Sequence, residues 1–92
     1  MRHPTQDPKY DIEVTGGGAH LVNAATGQPI PHDMPIMIFL GKDKRAVNAI
    51  YSYRNDCTDD AHIAAVEARI EEFEQYALTH SGEMKEPDTA PR

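Results

Sequence analysis

The sequence predicts an α+β fold: a small antiparallel sheet of two or three strands followed by an antiparallel helical hairpin. Two observations predict it. The apolar period is two near residue 10 and becomes helical after residue 43, and the turn-forming residues fall between these stretches rather than inside them.

Residues 1–9 hold Pro4, Pro8 and mostly polar neighbours, so a frayed N-terminal arm is expected there. Tyr10-Asp11-Ile12-Glu13-Val14 alternates apolar and polar and suits a half-buried strand. Gly16-Gly17-Gly18 breaks it. The triplet lacks the GK[ST] ending of a phosphate loop and precedes no helix, so it reads as a strand connection. His20-Leu21-Val22-Asn23 is the second strand candidate, and Ala24 to Gln28 reads as a turn in which Gly27 can take positive φ. Pro29, Pro31 and Pro35 hold the next segment extended. Ile36-Met37-Ile38-Phe39-Leu40, closed by Gly41, is the most apolar stretch and is expected to be a buried strand.

Asp43 is the expected N-cap of a first helix carrying Val47, Ile50, Tyr51 and Arg54 at i, i+3, i+4, i+7. Asn55-Asp56-Cys57 is a break. Thr58 is the expected cap of a second helix, with Asp59 and Asp60 in the first turn. Ile63, Val66, Ile70, Phe73 and Ala77 then recur at alternating spacings of three and four, a one-sided apolar stripe that ends near His80-Ser81-Gly82. The organisation expected is an arm over 1–9, one domain over 10–80 and an extended tail over 81–92.

Composition narrows function. The chain has 92 residues, 15 Asp+Glu, 9 Lys+Arg and a formal charge of −6. Residues 56–74 carry seven acids and only Arg69 in opposition, so they account for all of it. Direct nucleic-acid binding, which needs a positive field, is not expected. No apolar run approaches the ~20 residues of a membrane span, and the segment from Met1 to Pro4 carries no signal-peptide core. The single Cys57 points to a reducing compartment, so a cytoplasmic location is expected.

On a helical projection of the second helix, Asp60, Glu67, Glu71 and Glu74 fall on one flank of the apolar stripe, and His62, Arg69 and Tyr76 on the other. Three readings of the acidic flank stand: a solvated face, a docking surface for a basic partner, or a face paired with the bases of the first helix, where Lys42, Lys44, Arg45 and Arg54 outweigh Asp43. Gly41 to Arg45 is a second site candidate. A strand-to-helix junction with basic side chains can hold an anion or nucleotide. Lys42, Lys44, Arg45 and Arg54 would meet the phosphate and Tyr51 would stack, although Asp43 competes for the same amides.

Metal and nucleophile chemistry find little footing. The five histidines form no HxH or HxxxH pair, Cys57 has no second cysteine, and Asp59 with His62 supplies two ligands where a structural zinc takes four. Cys57 reads as a small apolar residue at the interhelical turn. No linked nucleophile, base and orienter is visible, so no enzyme, no cofactor and no catalytic residue is expected.

Three phrases carry a resemblance: Thr26-Gly27-Gln28-Pro29-Ile30-Pro31 with Asp33 and Pro35, leading to Phe39-Leu40-Gly41-Lys42-Asp43; Tyr51 and Cys57 with His62, Val66, Arg69-Ile70 and Phe73; and Met84-Lys85-Glu86-Pro87-Asp88-Thr89. Together they resemble a family of small uncharacterised phage and prophage proteins with a TGxPIPxDxP…KD motif and an EPDT-like end. The resemblance covers residues 19–89. It implies a setting rather than a mechanism: an accessory gene product acting inside an infected or lysogenic bacterium. The acidic flank of the second helix supplies the expected partner, a host protein of basic surface such as a defence or regulatory protein. The resemblance also implies that Met84 packs back on the helices. Self-association as a homodimer is the structural alternative, because a chain this small buries only about 60–65% of its unfolded surface.

Overall fold

The computed structural model describes residues 1–86 and has an α+β architecture, a three-stranded antiparallel sheet followed by two helices. The chain divides into two compact units, Met1–Ile36 and Met37–Arg92, where the sequence reads one domain over 10–80.

In the first unit the strand order is β1 (Arg2–Pro4), β2 (Tyr10–Thr15), β3 (Gly18–Asn23). The hairpin register runs from Tyr10 opposite Asn23 to Thr15 opposite Gly18, so only Gly16 and Gly17 lie outside the ladder. Gly18 takes a φ of +123°, a conformation open to glycine, which makes the triplet a tight hairpin connection. The expected arm contains a strand. Arg2 pairs with Glu13 and Pro4 with Asp11, and Val14 N–H donates to Met1 O at 2.8 Å. Pro4 is tolerated because β1 is an edge strand and Pro4 is its last residue. The Arg2 guanidinium bridges two acids of β2, Glu13 at 3.2 Å and Asp11 at 3.5 Å.

After β3 the chain turns back on itself. Asn23 Oδ1 accepts from Ala25 N–H and Thr26 N–H, Gly27 N–H donates to Asn23 O, and Gly27 takes φ +76°. The returning residues continue the ladder, with Asn23 N–H donating to Gln28 O and Ile30 N–H to Leu21 O. Val22, opposite Pro29, is the one buried apolar residue of this unit.

The run 36–40 is not a strand. It has no regular secondary structure and lies outside any ladder, and four of its five residues are exposed, with Met37 at 69% and Ile38 at 70%. Residue type alone suggested a buried strand, but a strand also needs a neighbour to receive its hydrogen bonds. The prolines at 29, 31 and 35 hold the approach extended, and no described strand lies alongside.

In the second unit α1 spans Ala46–Asp56 and α2 spans Asp60–Thr79. Helix α1 begins three residues after Asp43, and Arg45 is its N-cap. Asp43 instead makes a turn ahead of the helix. It is 8% exposed, and its Oδ1 accepts from Arg45 N–H at 2.7 Å. Helix α2 is capped by Asp59 rather than Thr58. The carboxylate accepts from Ala61 N–H at 2.9 Å and His62 N–H at 3.1 Å, two of the donors a helix start leaves unpaired. The apolar stripe of α2 faces inward as its spacing requires: Ile70 is buried, and Ile63, Val66, Phe73 and Ala77 are half-buried. Ala46 is fully buried on α1, with Val47, Ile50 and Arg54 half-buried.

Beyond α2 the expected extended tail starts with a short 3₁₀ turn, Ser81–Glu83. Lys85 then forms a parallel bridge with Asp43, through Lys44 N–H to Lys85 O and Lys85 N–H to Lys42 O, both 2.8 Å. The remainder of the tail and of the EPDT-like end, residues 87–92, lies outside the described residues.

Candidate functional site

Helix α2 sets out its acids as the projection requires. Asp60, Glu67, Glu71 and Glu74 are all exposed. The fold treats them in two ways. Glu67 receives Arg54 of α1, with Nη2 to Oε2 at 2.9 Å and Nε to Oε2 at 3.2 Å. Glu74 accepts from Tyr51 Oη at 3.1 Å. These carboxylates therefore tie the hairpin together. Asp60 and Glu71 make no side-chain hydrogen bond or ion pair among the described residues and face solvent. Pairing between the helices and an open acidic surface thus coexist on one flank.

The Glu74 carboxylate also acts on its donor. By accepting the phenolic hydrogen it raises the Tyr51 pKa above the ordinary tyrosine value of ~10, and its negative charge adds in the same direction.

On the opposite flank Arg69 reaches Glu72 at 2.6 Å, and Tyr76 stacks on His80 with ring centres 4.1 Å apart and planes 8° from parallel. Gly41 explains how the junction approaches this helix so closely. A Cβ there would stand 3.1 Å from Tyr76 Cγ, so a larger residue would push the two apart.

Around the basic junction at 42–45, several of the expected ligand-binding residues meet groups of the chain itself. Asp43 occupies the amide ahead of α1, as its position in the sequence allowed. Arg45 is turned to Glu86, with Nε to Oε2 at 3.0 Å, and Arg54 is committed to Glu67. Tyr51, the expected stacking surface, is hydrogen-bonded to Glu74. Of the five expected residues, Arg45, Tyr51 and Arg54 thus meet three different acids, and Lys44 borders a concavity.

That concavity is an open groove of about 710 Å³ in the helical unit. Val47, Phe73, Ala77, Leu78 and Met84 supply its apolar lining, and Gly41, Asp43, Lys44 and Glu74 complete it. Sequence reasoning missed it. Val47, Phe73 and Ala77 read as core stripe. Leu78, one position off the stripe and 77% exposed, was the available signal.

Cys57 is the C-cap of α1, half-buried, with its thiol donating to Tyr53 O at 3.3 Å. Asp59 and His62 approach within 4.0 Å. Among the described residues no three His, Cys, Asp or Glu side chains are grouped to hold a metal ion, and no helix is long and apolar enough to cross a membrane. No family model matches this chain, and neither a curated protein nor a solved structure matches it.

Proposed function

We propose that the chain is a non-enzymatic protein-binding module, an accessory product of phage type that occupies a basic surface on a host defence or regulatory protein in the bacterial cytoplasm. The phage setting follows from the sequence resemblance. The binding surface is the acidic flank of α2, and the observation that carries it is the exposure of Asp60 and Glu71 without partners among the described residues. Glu67 and Glu74 stand on the same flank. Their cross-helix contacts fix the flank in place while leaving both side chains exposed. An acidic surface held rigid before contact steers a basic partner and loses little freedom on docking.

Changing charge at the two acids without partners separates recognition from folding, because neither bonds across to α1, and an amide at position 60 avoids placing a cation at the start of α2. Asp60→Asn with Glu71→Lys should leave helix content nearly unchanged and weaken capture of a basic host protein at low salt by at least about tenfold. Wild-type binding should fall steeply with added salt. Capture indifferent to both salt and the double substitution would discard the acidic flank as the docking surface.

A further inference from the structure

We propose that the groove of the helical unit is closed by a second copy of this chain, related by a two-fold axis. Three features converge on that occupant. The first is the groove's charge pattern. Lys44 borders it from the junction side and Glu74 from α2, with Val47, Phe73, Ala77, Leu78 and Met84 between. A two-fold interface must be complementary to itself, because the same patch serves both partners. A basic border and an acidic border on one apolar patch meet that requirement: rotation sets Lys44 of each copy against Glu74 of the other. A uniformly basic partner would satisfy Glu74 and be repelled by Lys44. A uniformly acidic one would meet the reverse conflict; Asp43, 8% exposed and already accepting from Arg45 N–H, adds little to the border in either case.

The second feature is area. Leu78 is 77% exposed, and the apolar run leading into Gly41 at the groove is open along Met37 (69%), Ile38 (70%) and Leu40 (48%). Leu78 and the apolar lining of the groove are a start toward the ~800 Å² per partner of a stable interface, and the run 37–40, which leads to the groove at Gly41, is further exposed apolar surface of the same unit. The third is the shortage of internal burial. Ala46 and Ile70 are the only apolar residues of the unit in the buried class among those described. A helix pair with so little enclosed surface gains most from covering the apolar surface it still exposes.

This association does not depend on the acidic-flank proposal, and its test uses no host protein. Sedimentation velocity and light scattering on the full chain, from micromolar to millimolar concentration, should give twice the 10.2 kDa chain mass. Leu78→Glu should return the protein to a monomer with its helical circular dichroism intact, because the side chain is already solvent-facing. Lys44→Glu should weaken the dimer about tenfold, and Lys44→Arg, which keeps the charge facing Glu74 of the other copy, should leave it intact. A monomer at every concentration overturns the proposal. So does a dimer that ignores Leu78→Glu, or one that Lys44→Glu leaves as tight as the wild type.

Discussion

The sheet unit and the helical unit reach order by different routes. In the sheet, backbone pairing and turn chemistry do most of the work. The ladder extends from β1 through the 28–30 return, Asn23 and Gly27 shape one turn and Gly18 the other, while Val22 alone is buried and Ile12 and Val14 remain about 40% exposed. In the helices, side chains do more. The α2 stripe buries Ile70, and Arg54 and Tyr51 reach across to Glu67 and Glu74. Local rules thus suffice to shape a hairpin with almost no core, whereas a helical hairpin depends on the few large side chains it encloses.

The strongest way to break that comparison is at Ile70. Truncation to Ala removes the most enclosed large side chain of α2, at 4% exposure, and should destabilise the helices by about 2–5 kcal/mol. Urea unfolding followed at the helical circular dichroism band measures it. A loss near the value of an exposed substitution would mean that the stripe does not hold the hairpin. In the sheet the corresponding position is a turn glycine rather than a core residue. Gly27→Ala forces a side chain into φ +76° and should cost about 1–2 kcal/mol. Its readout is hydrogen exchange, which should quicken at Asn23 and Ile30, the amides that bond Gln28 O and Leu21 O. Unchanged protection would show that the turn follows the ladder rather than setting it.

Legibility in the sequence divides along the same line. The stripe of α2 was readable because spacings of three and four leave one arrangement, and the burial of Ile63, Val66, Ile70, Phe73 and Ala77 follows it. The hairpin was readable from alternation and its glycines. Three features were not. Ile36 to Leu40 has strand composition, but composition cannot supply a neighbouring strand. The Arg2–Pro4 strand was hidden by its proline, which only an edge position accommodates. The helix starts moved because an aspartate can cap at more than one offset. Asp59 displaced Thr58, and Asp43 served a turn upstream of α1. At the site, the acidic flank was visible as a face, and pairing with the first helix was among its readings. Which acids would be engaged depended on where α1 lies against α2. The groove depended on the return of Met84 beside that pair, a long-range contact that no local period encodes.

The smallest expected effect sharpens the comparison through pH. In the sheet, the cross-strand side-chain contact is that of Arg2 with Asp11 and Glu13, and no phenol takes part in it. The helices rely in part on Tyr51, whose hydrogen bond to Glu74 needs the neutral phenol. Its folded pKa is raised, so its contribution is complete below the ordinary tyrosine value of ~10 and is lost as pH climbs through the higher folded value. Phenolate absorbance, taken as the difference between the wild type and Tyr51→Phe, should report a late-titrating tyrosine. Glu74→Gln should bring it back toward the ordinary value by removing the charged acceptor. In the same alkaline window the α1–α2 contact should loosen while sheet amide protection holds. Simultaneous loosening of both units would show that Tyr51 is not what distinguishes them.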